Sequence, residues 1–372
     1  LQKRIEELEQ KVQVLERGKG AGEATNDAKA QEHLEALDQK VRVLERENEL
    51  QQEASEARAK EAPKISIGGD GFSFASAKGD FAVQLKGVIQ MDSRTFFNEP
   101  GIVGNDSLLL RRARPILQGT VYRDFDFLFV PDFAPTSGPQ IFDAYVNYRY
   151  SPALQFQAGK YKLPIGLEQL AADKDILFNE RSLATDLVPN RDVGFEVHGD
   201  LFEGRVSYAA GIFNGTSDGA SSGNADFADD RAYVGRLFFQ PFRKSSSAVL
   251  QGVGFGVAGS YETMSTTNTA GLPSTTGGSL PGYFTDGQQQ FFAYKPASNA
   301  VVVAEDNHWR LSPQGYYYYG PFGLLGEYVI SDQKVKRTGV GPIGASYLQN
   351  TAWEVSASWV LTGEDAAYVG GV

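Results

Sequence analysis

The stretch that decides the fold reads FQAGKYKLPIGLE at residues 156–168 and continues as FNERS at 178–182. A strand runs into a long connection that bends at Pro164–Ile165–Gly166 and carries charges at its tip. Loop 163–190 is strongly apolar, since it contains Leu163, Ile165, Leu167, Leu170, Ile176, Leu177 and Phe178. Because so apolar a loop should pack on something, the pattern predicts a β-barrel that folds one loop into its own lumen. The alternative is an ordinary surface loop.

Composition limits the class of fold. The chain has 372 residues, and no apolar run approaches the roughly 18 residues that a membrane helix needs. A membrane barrel stays possible because its strands alternate and average out as polar. Cysteine is absent, which excludes thiolate metal sites, cysteine nucleophiles and disulfides. The net charge of −11 argues against nucleic-acid binding.

Residues 1–62 carry a heptad repeat of apolar side chains, which is typical of a coiled coil. The predicted core positions are Leu1, Ile5, Leu8, Val12, Leu15, Leu34, Leu37, Val41 and Leu44. Three interpretations compete: a parallel multi-chain stalk, an antiparallel hairpin that turns at the glycines of 18–22, and a single solvated helix. We favour the stalk because each heptad block is too short to be stable alone. Pro63 ends the helix, and residues 63–79 are predicted as a linker.

From Lys64 onward the period changes to two, which indicates strands with one apolar and one polar face. A soluble sandwich shows the same alternation. Here the polar face is charged, aromatic residues cluster near strand ends, and short and long connections alternate, as in a transmembrane antiparallel β-barrel. We predict this all-β domain over 80–372, with about twelve strands. They lie near 80–94, 107–121, 125–133, 141–150, 154–162, 191–200, 205–213, 231–241, 252–262, 307–319, 322–333 and 349–362.

Several short sequence motifs are distributed along residues 65–372. They include LRRAR at 110–114, FVPDF at 129–133, DAYVNY at 143–148, RDVG at 191–194, GRLF at 235–238, GLLGEY at 323–328 and VLTGE at 360–364, beside the two words quoted first. Taken together they resemble the phosphate-selective porin O/P family. The resemblance implies a sixteen-stranded, homotrimeric barrel in the bacterial outer membrane, with basic residues that attract anions.

The chain departs from the family pattern in two ways. It carries the N-terminal coil, and it stops at Val372 after about twelve strands. An open barrel would expose unpaired backbone to lipid. We therefore expect the sequence to be incomplete at its C-terminus, or other chains to supply the closure.

Strand parity and the family's basic positions together give the candidate pore-lining and anion-guiding residues. They are Lys86, Arg94, Arg112, Arg114, Arg236 and Arg310. The predicted constriction loop supplies Lys160, Lys162, Asp173, Lys174, Asp175, Glu180 and Arg181. The competing interpretation is that the arginines pair with lumen carboxylates, because ion-pair networks and functional sites contain the same groups. By parity, these carboxylates are Asp126, Asp132, Asp143, Glu196, Glu327 and Glu354.

Other motifs indicate no enzyme, cofactor or metal centre. The glycine pattern at 254–259 matches a dinucleotide fingerprint but lies inside a predicted strand with no helix after it. The three histidines have no ligand spacing. A glycine- and serine-rich loop contains Asp218, Asp226, Asp229 and Asp230. We interpret this loop as solvated and not as a calcium bridge to lipopolysaccharide.

The sequence thus predicts an outer-membrane porin that passes small solutes by diffusion and prefers anions, phosphate-like or general. The expected surroundings are a homotrimer in outer-membrane lipid and lipopolysaccharide, with the coil in the periplasm and no nucleic-acid partner. The alternative is a structural protein. Its coil would tether or space the outer membrane from the cell wall through peptidoglycan, beside a weakly selective pore.

Overall fold

The structure is a computed structural model that describes residues 10, 13–14, 26–69, 71–97, 106–135, 137–224, 231–264, 280, 282–285, 290–292, 300–339 and 344–370. The chain divides into two compact units. One contains Leu1–Ser66 and Phe74–Asp80, and the other contains Ile67–Ser73 and Phe81–Val372. Among the described residues, no helix combines the length and the apolar character needed to cross a bilayer.

The first unit contains one described helix, α1 (Asn26–Glu61). It ends two residues before Pro63, as predicted, because proline and the residue before it disfavour helical geometry. Val41 is only 9% exposed, whereas Val43, which is off the heptad, is 58% exposed. The predicted core residues Leu1, Ile5, Leu8, Val12 and Leu15, and the glycines of 18–22, lie outside the described residues. A single helix is therefore observed, and its assembly into a coil stays a prediction.

A large sheet makes up most of the second unit. Its strands stand in the order β1-β2-β3-β4-β5-β6-β7-β8-β9-β10-β11-β14-β15-β16, and β12 and β13 form a separate hairpin. The strands are β1 (Lys64–Gly68), β2 (Gly71–Ala75), β3 (Ala82–Arg94), β4 (Ser107–Val121), β5 (Phe125–Asp132), β6 (Gln140–Ser151), β7 (Leu154–Lys162), β8 (Arg191–Leu201), β9 (Val206–Phe213), β10 (Ala232–Phe239), β11 (Val253–Met264), β12 (Tyr283–Phe284), β13 (Gln290–Phe292), β14 (Ala300–Tyr319), β15 (Phe322–Gly339) and β16 (Ala345–Trp359). The short helices are α2 (Leu167–Leu170), a 3₁₀ helix (Leu183–Leu187) and α3 (Ala248–Gln251).

The twelve predicted strands are confirmed, and they correspond to β3–β11 and β14–β16. Each of these strands pairs antiparallel with its neighbour in the chain order. The sequence did not predict β1 and β2, which lie in the stretch interpreted as a linker, nor the small hairpin β12–β13. In the described residues no pairing joins β1 to β16, so fourteen strands of the sheet are seen and its closure is not.

Burial along the strands follows the predicted alternation with the apolar face outward. In β10, Tyr233 and Leu237 are 56% and 47% exposed, whereas Arg236 and Phe238 are each 5% exposed. A soluble protein would bury the apolar face and expose the charged one. Apolar side chains on the outside and charged side chains on the inside are the arrangement of a sheet that faces lipid.

This alternation predicts the reactivity of single cysteines, and the absence of native cysteine makes the test free of background. In lipid vesicles, Leu237→Cys should not react with a membrane-impermeant maleimide, because its side chain faces acyl chains. Gln157→Cys, which lies on the inner side of β7, should react. The reverse order of labelling would contradict the orientation of the sheet.

Candidate functional site

Loop 163–190 leaves the end of β7 and returns to the start of β8. Its ends meet, since the Leu163 amide donates a hydrogen bond of 3.3 Å to the Asn190 carbonyl. Leu163, Ile165 and Val188 are at most 1% exposed and pack in one apolar cluster with wall residues that include Phe213 and Val329. Burial of this much apolar surface holds the loop against the wall.

The loop touches strands far apart in the sheet. On one side Glu180 pairs with Arg111 of β4, at 2.6 Å between Oε1 and Nε. On the other side the amide of Leu167 donates to Oε2 of Glu327 on β15, at 2.6 Å. In sheet order β4 stands three places before β7, and β15 stands five places after β8. The sheet therefore curves around the loop, which crosses its concave side.

Two loop carboxylates stand among arginines. Glu180 Oε2 lies 2.7 Å from Nη2 of Arg112, and Asp173 Oδ1 lies 2.6 Å from Nη1 of Arg181. Asp173 also pairs with Arg114 and, at 3.3 Å, with Arg112. Arg112 and Arg114 are 2% and 8% exposed. For these two arginines the contacts favour the interpretation as ion pairs.

The arginines also govern the pKa of Asp173, which lies on the loop. Burial by itself raises the pKa of this carboxyl, but the guanidinium groups of Arg181, Arg114 and Arg112 outweigh that effect and hold the pKa well below its usual range. Asp173 is thus charged at neutral pH, and its ion pairs with the arginines help to hold the loop against the wall.

Two β-bulges turn extra side chains toward the loop. In the β3–β4 pairing, Gln90 faces Arg112 and Met91 faces Leu110, so Arg111 is the additional residue. In the β5–β6 pairing, Val130 faces Asp143 and Pro131 faces Ile141, so Phe142 is the additional residue. A bulge re-aims a side chain that simple alternation would send to the other face. Sequence reasoning missed both residues for this reason.

Phe142 separates two guanidinium groups. The Cζ atoms of Arg114 and Arg191 lie 3.6 Å and 3.3 Å from its ring centroid. At such distances each guanidinium must lie over a face of the Phe142 ring. Two non-bonded carbon atoms cannot both lie so close to the centre of the same face. The two guanidinium groups therefore occupy opposite faces of the ring. Arg191 is held in turn by Asp143, at 2.9 Å between Nε and Oδ1. The stack keeps two like charges apart and fixed in place.

A cavity of about 530 Å³ lies beside this stack and runs toward the short-turn end of the strands. Its lining includes Lys86, Lys162, Asp126, Asp143 and Asp200. Asp126 pairs with Arg149 at 2.9 Å, and Asp143 pairs with Arg191. In the described part of the chain, no carboxylate lies within 4.0 Å of the ammonium group of Lys86 or of Lys162.

The remaining predicted pore residues differ in their surroundings. Arg94 lies 3.4 Å from Asp92 on its own strand. Arg310 is 2% exposed and pairs with Asp218 at 2.6 Å and Glu262 at 3.0 Å. Arg236 is 5% exposed, and its Nε and Nη2 each donate to Oε1 of Gln314 at 3.4 Å.

The predicted loop residues also separate into groups. Lys160 and Lys162 lie on the last residues of β7, not on the loop, and donate to the carbonyls of Ser222 and Ala171, each at 2.7 Å. Lys174 and Asp175 pair with each other at 2.7 Å, and the Lys174 side chain is 64% exposed. Asp173, Glu180 and Arg181 make the buried pairs described above.

The interpretation of Asp218 as solvated is wrong. It is 5% exposed, and besides Arg310 it accepts a hydrogen bond of 2.6 Å from the Ser331 hydroxyl. A second connection, between β9 and β10, therefore also reaches the inner side of the sheet. Asp226, Asp229 and Asp230 lie outside the described residues. Within the described ranges, no group of three or more His, Asp or Glu side chains is placed to hold a metal ion.

An antiparallel sheet with an apolar outer face and a charged inner face, curved around one of its own loops, has the architecture of a porin. Residues 83–372 match the family model described as phosphate-selective porin O and P, and the chain belongs to that family. It is therefore an outer-membrane porin, a channel protein of the bacterial outer membrane, and the family resemblance seen in the sequence is confirmed.

No curated protein sequence matches this chain. Among solved structures, it is similar to OmpT (in-vitro folded), an outer membrane protein of Vibrio cholerae in its trimer form. The two sequences are 10% identical, the match covers 78% of this chain and 95% of that chain, and the TM-score is 0.26.

The contacts of Glu180 predict the effect of neutralising it. Glu180→Gln leaves Arg111 and Arg112 without their shared carboxylate, and breaking a buried ion pair costs about 3 kcal/mol. We expect a looser loop, with higher single-channel conductance and faster proteolysis within 163–190. Asp175→Asn is the matched control, because Asp175 pairs with the exposed Lys174. Equal effects of the two substitutions would contradict the role of Glu180.

The low pKa of Asp173 predicts the acid limit of loop docking. Its folded pKa lies below the unfolded value of about 3.9, so its stabilisation is fully present above that value and is lost as pH falls through the lowered pKa. Protection of the loop from proteolysis should stay constant from about pH 7 to pH 5 and fall only below about pH 4. Asp173→Asn should be looser throughout and lose this charge contribution. A wild-type transition near about pH 6.5 would point to another group.

Proposed function

We propose that this porin passes small solutes by diffusion through a lumen that loop 163–190 constricts, and that it prefers anions. The main observation in favour of this proposal is that most carboxylates around the cavity form ion pairs, whereas some of its basic groups do not. Three of its lining carboxylates, Asp126, Asp143 and Asp173, are engaged with arginines of the chain. Lys86 and Lys162 have no described carboxylate within 4.0 Å. Because the Lys162 ammonium donates to the Ala171 carbonyl, Lys86 is the lining lysine whose charge is available to a permeating anion.

Arg236 supports the same preference. Its guanidinium also lacks a carboxylate within 4.0 Å in the described residues, and its long contacts to Gln314 leave it weakly satisfied. Charged groups in a channel wall select permeants by sign. Among the six arginines and lysines predicted from the sequence, Lys86 and Arg236 are the anion-guiding residues of this proposal. Arg112, Arg114 and Arg310 act in it as positioning residues that fix the inward segments.

The preference proposed here is for small anions in general. The family name contains phosphate selectivity, but the retained carboxylates near the path, such as Asp200, oppose an excess of positive charge. Divalent phosphate gains most from dense positive charge, whereas chloride, with a single charge, needs less of it. Single-channel conductance in chloride compared with phosphate separates the two cases. Block of chloride current by phosphate at micromolar concentration would favour a phosphate-selective channel instead.

The homotrimer and the periplasmic coil are part of the same proposal. Val41 is buried on α1, and Leu37 and Leu44 of the same heptad series are half-buried, as expected of a helix with one apolar seam. We expect this seam to assemble with other copies of the chain on the periplasmic side. Analytical ultracentrifugation of the detergent-solubilised protein, with and without residues 1–62, checks the assembly. A monomer in both forms would remove the trimer and the coil together.

The charge assignment predicts changes in selectivity. Lys86→Gln should move the reversal potential under a salt gradient toward that of an unselective pore, with the anion-to-cation permeability ratio falling about twofold. Lys174→Gln is the matched control, since Lys174 is exposed and paired with Asp175. A cation-selective wild type would contradict the anion preference. Equal shifts in the two variants would remove the specific role of Lys86.

A further inference from the structure

A strip of aromatic rings lies on the inner side of β10 and β14, near the short-turn end. The ring centroids of Phe238 and Tyr316 are 5.3 Å apart with an interplanar angle of 33°, and those of Tyr316 and Tyr318 are 5.4 Å apart. Tyr316 shares its parity with the inward, buried Gln314 of the same strand. The three rings thus form a continuous aromatic surface on the inner side of the sheet.

Glycines let these rings lie close against the wall. A Cβ atom on Gly254 of β11 would come within 2.6 Å of the Tyr316 ring and 2.9 Å of the Phe238 ring. A Cβ on Gly323 of β15 would come within 2.5 Å of the Tyr318 ring. Any larger residue at these positions would lift the rings off the sheet. Lying over glycine, the rings of Phe238 and Tyr316 turn their opposite faces inward, where Leu167 of the loop and Tyr368 pack against this cluster.

One cationic side chain, that of Arg236, lies next to the Phe238 ring of this strip. The Cζ of Arg236 lies 4.7 Å from the centroid of Phe238. Arg236 is 5% exposed, and no carboxylate of the described chain lies within 4.0 Å of its guanidinium. Glu196 and Glu327 act on it only from a longer distance. A buried cation without a direct carboxylate partner is costly, so the site favours an anionic group that reaches it. Phe238 thus links an aromatic surface to a positive charge that forms no direct ion pair in the described residues.

The chain itself shows what this surface accepts. The ring of Tyr368 stacks on Tyr316 with centroids 5.2 Å apart and an interplanar angle of 24°. Its hydroxyl donates to the Leu167 carbonyl at 2.7 Å, and it lies within electrostatic range of Arg236. A planar ring that carries an oxygen therefore already stacks on Tyr316, beside the buried cluster of Leu167, Phe238 and Leu325 and within electrostatic range of Arg236.

We propose that the seat formed by Tyr316, Phe238 and Arg236 is a binding site for aromatic carboxylates of the benzoate class. The solute ring takes the place of Tyr368 on Tyr316 and Phe238, and its carboxylate pairs with Arg236. Stacking on the rings favours a planar solute, and the guanidinium favours a negatively charged one. A sugar lacks the charge and an inorganic anion lacks the planar ring, so neither meets both requirements. This inference rests on the proposed role of the lumen as a solute path, and it names a substrate class for that path.

Isothermal titration calorimetry on the full chain in detergent tests the proposal, with sodium benzoate as the probe and sodium cyclohexanecarboxylate as the matched non-planar acid. Benzoate should bind at least about fivefold more tightly than the saturated acid. Tyr316→Leu should abolish this difference, whereas Tyr316→Phe, which retains the ring, should preserve it. Tyr368→Leu should tighten benzoate binding, because it frees the seat. A merely structural Tyr368 would not produce a tighter site.

Several results would overturn the site. They are the absence of benzoate binding, equal affinity for the planar and the saturated acid, binding of glucose at the same strength, or unchanged or weaker binding in Tyr368→Leu. The reversal potential in potassium chloride, measured on the same preparation, separates this failure from that of the porin function. If the channel is anion-selective but does not bind benzoate, only the aromatic site is contradicted. If the channel shows no anion preference, the proposed role of the basic residues along the path is contradicted.

Discussion

The structure depends on the pairing of two loop carboxylates, Asp173 and Glu180, with arginines of the wall. Burying a guanidinium in a lipid-surrounded sheet is costly unless a carboxylate meets it. Because Glu180 contacts β4 while Leu167 is bound to Glu327 on β15, one loop connects strands from both parts of the curved sheet. The apolar contacts of Leu163 and its neighbours add the hydrophobic part of this attachment. Loop position, lumen width and the set of charges left unpaired all follow from it.

Much of the sheet could be predicted from the sequence, because lipid-facing strands alternate between apolar and polar side chains, as β3 and β10 do most regularly. The short strands β1 and β2 could not, since five residues give too little of a periodic pattern. The inward loop was expected from its apolar composition, but its partners were not. Glu180 and Arg111 are 69 positions apart, and no local rule sets such a pairing. The bulges at Arg111 and Phe142 shift the parity by one residue, which alternation alone cannot show.

The same physics sorts the basic residues that the sequence could only group together. Arg112, Arg114 and Arg310 are satisfied by carboxylates and hold inward segments, whereas no described carboxylate lies within 4.0 Å of Lys86 or Arg236. Parity places all of them on the inner face. Carboxylates of the inward loops and of neighbouring strands, such as Asp132 beside Arg114, decide which of them form ion pairs. The basic residues of the wall thus fall into two groups: those that hold the constriction loop through ion pairs and those that can interact with the solute.

The central claim is that loop 163–190 narrows the lumen, and its removal tests this most directly. Because the Leu163 amide already meets the Asn190 carbonyl, residues 167–187 can be replaced by a short glycine–serine linker without pulling β7 and β8 apart. The measurement is single-channel conductance in a planar bilayer, beside the wild type at the same salt concentration. We expect conductance to rise by at least about twofold. An unchanged conductance in a variant that still inserts would show that the loop lies outside the conducting path and would contradict the account.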